Sequence, residues 1–133
     1  MKLLPRAALL LAAALLPACA ADEPATPQPG DLTVTLATQN TDAAMIVAIT
    51  GPGVVGAVQA VSPGAVARAR TQGTTTTVAV LGAHDALGAG PLLRISVPDV
   101  RQAKEYAAVV REAADLQNAP RASLAGYALT VER

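Results

Sequence analysis

The sequence predicts an all-β fold, an antiparallel β-sandwich over residues 31–133, on three observations. Short runs of alternating apolar and polar side chains recur from Leu32 to Val131, the period-two pattern of half-buried strands. The runs are rich in Val, Ile and Thr and are broken by Gly, Pro and Asn, which favour strands and turns respectively. The chain has 133 residues, enough for one domain, and is 52% hydrophobic with no Trp, no Phe and two Tyr, so the core is built from Val, Leu, Ile and Ala. Six or seven short strands with regular turns describe a sandwich.

The elements follow in order. Leu32, Val34 and Leu36 alternate with Thr33 and Thr35. Met45, Val47 and Ile49 alternate with Ile46 and Ala48, and Thr50-Gly51-Pro52-Gly53 ends the run with a turn signal. Residues 54–61 carry Val55 and Val58 around Gly56, which allows a bulge or a crossing backbone. Residues 65–71 put Arg68 and Arg70 on one face, and Gln72-Gly73 turns the chain into TTTTVAVL, residues 74–81, as a hairpin. The four threonines lack the repeated Thr-x-Thr of an ice-binding array and read as an exposed strand. A glycine-rich loop over 82–91 leads to a strand at 92–97, where Leu93, Ile95 and Val97 alternate with Arg94 and Ser96. The last strand falls in 126–132, with Tyr127, Leu129 and Val131 on its apolar side.

Residues 99–118 read two ways. Val100, Ala103, Ala107, Val110 and Ala114 recur at helical spacing, Asp99 suits an N-cap, and Lys104 and Arg111 alternate with acids, so a helix over 99–117 in an α+β fold is one reading. Tyr106, Ala108 and Val110 also alternate as in a strand. Tertiary context overrides local propensity, and a sandwich needs a penultimate strand here. The expectation is a short helical turn near 99–104 followed by a strand to about Ala114.

Residues 1–18 read as a signal peptide. Lys2 and Arg6 form a positive start, and the apolar run at 7–16 falls short of the about 20 residues that a membrane span needs. Leu16-Pro17-Ala18-Cys19 resembles a bacterial lipobox, with Pro17 the departure from pattern. The resemblance implies a lipid on the Cys19 thiol and cleavage between Ala18 and Cys19. Ala18-Cys19-Ala20 is also a small-x-small site, and cleavage after it would leave a soluble periplasmic or secreted protein. A lone cysteine directly after the apolar run favours the lipobox. Either route leaves no free thiol for disulfide, metal or nucleophilic chemistry. Residues 19–30 then form a proline-rich tether, extended at about 3.1 Å per residue. Ala20, in place of Asp after the cysteine, resembles Gram-negative lipoproteins and implies the periplasmic face of the outer membrane.

The spacing through GPLLRISVPDV, EYAAVV and SLAGYALTVER resembles small bacterial immunoglobulin-like or cohesin-like β-sandwich domains over about residues 31–133. That resemblance implies a module that binds a partner or acts as a spacer and is not catalytic. No acidic loop matches a calcium- or dockerin-binding site.

Ten basic side chains balance ten acidic ones, and loss of Lys2 and Arg6 with the signal peptide leaves eight against ten. That balance gives no field for nucleic acid. His84, the single histidine, stands beside Asp85. A zinc site wants three or four protein ligands, and Ser62, Ser96 and Ser123 lack a nucleophile-elbow motif. The pair therefore reads as a loop, with a small envelope metal-binding protein or hydrolase using His84 and Asp85 as the second reading. Gly82, Gly88 and Gly90 form no phosphate loop, because no Gly-Lys-Ser/Thr follows. No catalytic residue, metal or cofactor is expected. Arg68, Arg70 and Arg94 would form a patch for an anion, an envelope protein or a polysaccharide if their strands are neighbours.

Overall fold

Alternating burial along the strands builds two sheets around one apolar layer. The computed structural model describes residues 25–53, 55–83 and 86–133. Its strands are β1 (Gly30–Ala37), β2 (Asp42–Thr50), β3 (Val58–Ala60), β4 (Val66–Gln72), β5 (Thr75–Leu81), β6 (Gly90–Val97), β7 (Ala107–Asp115) and β8 (Ala128–Glu132). The first sheet has the order β3-β6-β1-β8 and the second β4-β5-β2-β7, and every pairing is antiparallel. The fold is thus the expected all-β sandwich. Among the described residues it has eight strands where six or seven were expected; the smallest, β3, is a three-residue strand paired with β6. Leu32, Val34, Leu36, Leu93 and Ile95 from the first sheet meet Met45, Val47, Ile49, Val78 and Val80 from the second in the core.

Two bulges explain sequence patterns that do not alternate. Val34 pairs with Leu93 and Thr35 with Pro91, so Leu92 is an extra residue and both Leu92 and Leu93 are buried. In β7, Ile46 pairs with Glu112 and Val47 with Val110, which leaves Arg111 as the extra residue. Ala108, Val110 and Ala113 therefore all face the core, and the step of three from Val110 to Ala113 imitates helical spacing. The alternative α+β reading with a helix over 99–117 is overturned. A 3-10 segment, Val100–Glu105, coils as expected near 99–104, and β7 follows as the penultimate strand, paired along β2 with its inward side chains in the core.

The proline-rich segment is fastened to the domain before β1 begins. The Gln28 amide donates to Asp99 Oδ1 at 3.3 Å, and the Val100 amide donates to the Gln28 carbonyl at 2.8 Å. Asp99 caps the 3-10 segment by accepting from the Arg101 amide. Arg101 Nη2 donates both to Asp99 Oδ2 at 2.7 Å and to the Ala25 carbonyl at 3.1 Å. These charge-assisted bonds hold the Asp99 carboxyl well below the usual carboxylate range, chiefly through the side-chain bond from Arg101. The chain thus enters at one pole of the sandwich. Beside it Tyr106 lies against Gly51: a Cβ on Gly51 would fall 2.1 Å from Tyr106 Cδ1. The glycine is there for the ring.

An apolar trough on the outer face of the second sheet

The outer face of the second sheet is unusually apolar because small residues occupy its centre. Cross-strand registers place Arg68, Ala79, Ile46 and Glu112 in one row across β4, β5, β2 and β7. The next row runs Val66, Leu81, Ala44 and Ala114. Ala44, Ala79 and Ala114 leave a depression that the larger Leu81 and Ile46 border, and the resulting trough has a volume of about 260 Å³. Leu81 on its border is 53% exposed, and Val109 at 49% and Val66 at 41% add apolar surface beyond the lining. Such contiguous patches mark interaction sites more often than scattered apolar residues do.

The far wall comes from the connection between β7 and β8. Asp115 Oδ1 accepts from the Gln117 and Ala119 amides, each at 2.9 Å, and Asn118 takes a positive φ of 61°, a conformation that Asn tolerates. The chain therefore reverses sharply. Ala114 bridges Pro120 and the Arg121 amide donates to the Ala113 carbonyl at 2.8 Å, so the returning strand lies along β7. Pro120 and Leu124 then line the trough.

A buried carboxylate fixes that wall. Asp42 is fully buried and accepts from Arg121 Nε at 2.8 Å and from the Tyr127 hydroxyl. Burial and the bond to Asp42 push the Tyr127 phenol up, and the same carboxylate raises Arg121. The backbone of Asp42 exchanges hydrogen bonds with Leu87, tying the loop after β5 to the same pole.

Arg111 and Glu112 stand on the trough's rim because of the bulge, which re-aims side chains. Among the described residues neither makes an ion pair or a side-chain hydrogen bond. Arg68 and Arg70 share the outer face of β4, as expected, and Arg68 lies opposite Ala79 at the trough's margin. Arg94 does not join them. It sits on β6 between Gln59 and Thr33, on the outer face of the other sheet, so the three-arginine patch is corrected to a pair.

No family model, curated protein or solved structure matches this chain. The site rests on geometry. The expectations at Ala18 and Cys19, and at His84 and Asp85, lie outside the described residues. Among the described residues no group of three metal-ligating side chains comes together and no helix is long and apolar enough to cross a membrane. Ser96 Oγ donates to Asp31 at 2.7 Å and Ser123 Oγ accepts from the Ala125 amide. Sequence reasoning missed Asp42, Arg121 and Tyr127, whose partners lie about 80 positions away. The signal for the trough was present in the alanines, but only register shows that they share a face.

Proposed function

We propose that this chain is an exported lipoprotein, anchored to the cell envelope through Cys19, whose β-sandwich binds a partner and does no chemistry of its own. The observation that carries the reading is polarity. The chain enters beside Asp99 and Arg101, while Ala44, Ala114 and Pro120 place the trough toward the opposite pole. Strand β1 has eight residues, which separates the poles by about 26 Å at about 3.3 Å per residue. An anchor on Cys19 joins the domain at the pole of chain entry and leaves the trough, which opens sideways from the second sheet toward the other pole, free to receive a partner.

Intact-mass analysis of the protein from a Gram-negative host, with and without Cys19→Ser, tests the anchor. The wild type is expected to gain the mass of a diacylglyceryl group and an acyl chain and to fractionate with membranes, and Cys19→Ser to lose both. An unlipidated wild-type protein found wholly in the soluble fraction would sink the anchor.

A further inference from the structure

We propose that the trough seats a segment of a partner protein in which apolar side chains are flanked by carboxylates four or five residues apart. This deepens the reading as a binding module and does not depend on the anchor.

The floor sets the first requirement. Ala44, Ile46 and Ala79 offer only methyl and methylene groups between strands whose backbone groups are already paired. An apolar side chain laid there removes water from both surfaces, which favours association. Leu81 and Leu124 stand on either side of it.

The rim sets the second. Among the described residues the outer faces of the four strands carry Arg68, Arg70 and Arg111 against Glu112, since Arg121 is already paired with Asp42. Arg68 and Glu112 end one row, three strand spacings apart, or about 14 Å. Arg111 adjoins Glu112, so a carboxylate near each end of that row meets a cation. An extended segment covers the same span in four or five residues at about 3.3 Å each.

The same charges argue against other occupants. Two copies packed face to face would set six arginines against two glutamates whatever the rotation, which is repulsive. A polysaccharide wants aromatic platforms, and neither tyrosine is on this face: Tyr106 is buried under Gly51 and Tyr127 is bound to Asp42. A small apolar ligand is held in sites that enclose most of its surface, whereas the exposed Leu81 shows how open this one is.

The test is a displayed library of random dodecapeptides panned against the full chain carrying Cys19→Ser. Enriched peptides are expected to contain one or two large apolar residues between Asp or Glu residues four or five positions apart. Their affinity is expected to fall at least tenfold in Leu81→Asn and in Arg68→Ala/Arg70→Ala, and to weaken as salt rises. Leu81 and both arginines are exposed, so these variants keep the fold, which circular dichroism checks. Panning that enriches no such sequence, or enriches basic ones, overturns the proposal, as does binding unchanged in both variants. A dimer seen by sedimentation and abolished by Leu81→Asn overturns it in favour of a second copy. Because the panned protein carries no lipid, failure here and failure of the anchor are separate results.

Discussion

Arg121 Nε donates to Asp42 Oδ1 at 2.8 Å across 79 positions of sequence, and the Tyr127 hydroxyl donates to the other oxygen of the same carboxylate. One buried carboxylate thus holds two points of the connection between β7 and β8. Tyr127→Phe removes two hydrogen bonds, the one donated to Asp42 and the one accepted from Asn40 Nδ2 at 3.2 Å, and is expected to cost about 1–2 kcal/mol. Asp42→Ala strands both donors and is expected to cost clearly more, because a buried partner left unpaired carries its full desolvation penalty. Urea unfolding of the two variants and their double mutant is expected to show strong non-additivity; additive losses would mean that Asp42 and Tyr127 do not act together.

Tyr106 and Gly51 make the opposite kind of contact. The Tyr106 hydroxyl is buried and, among the described residues, has no hydrogen-bond partner, so Tyr106→Phe is expected to be neutral or slightly stabilising. Gly51→Ala drives a methyl into the ring and is expected to cost about 1–3 kcal/mol, as overpacking does. Thermal melts of both variants separate the two effects: the ring matters and the hydroxyl does not.

The clamp at Asp99 gives a pH dependence whose sign is fixed. Its carboxyl is held below the usual range in the folded chain, so its contribution is complete where the unfolded carboxyl is ionised, above about pH 5, and shrinks as pH falls below about 4. Melting temperatures of the wild type are therefore expected to hold a constant lead over those of Asp99→Asn from pH 6 to about pH 4 and to begin to lose it between about pH 4 and pH 3, the gap closing only at still lower pH. The absence of any gap near pH 6 would show that the clamp adds nothing, and a gap that does not narrow below pH 4 would show that the ionised carboxylate is not its source.

Neighbouring leucines report on the bulge in β6. Leu92 and Leu93 are both buried, so alanine at either position is expected to cost about 2–5 kcal/mol. In a regular strand one of the two would face solvent, where a substitution changes stability by at most about 0.5 kcal/mol. Leu81→Asn, on the exposed outer face, serves as that comparison in the same chemical denaturation series.

The strands were legible wherever burial alternated cleanly. Leu32 to Leu36 and Leu93 to Val97 declare their inward face, and the hairpin turn declares itself through Gly73, whose φ is +60°, a value suited to the first loop position of a two-residue hairpin. The bulges were not legible, since an extra residue at Arg111 makes a strand resemble a helix until its partner is known. Arg68 and Arg70 could be placed on one face because two residues on one strand share it. Arg94 could not be placed, because which strands lie side by side depends on pairings between distant segments. For the same reason the alanines of β2, β5 and β7, visible in the sequence, could not be assigned to one depression, and Asp42 gave no hint of Arg121.

The entry of the chain beside Asp99 also decides how the domain takes a mechanical load. Residues 25–28 lead directly into β1, which lies between β6 and β8 and is bonded to both. Ladder hydrogen bonds run perpendicular to the strands, so a pull from that pole along β1 strains them together in shear instead of opening them one at a time. The Ala25, Gln28, Asp99 and Arg101 contacts stand ahead of the sheet and take up the force first.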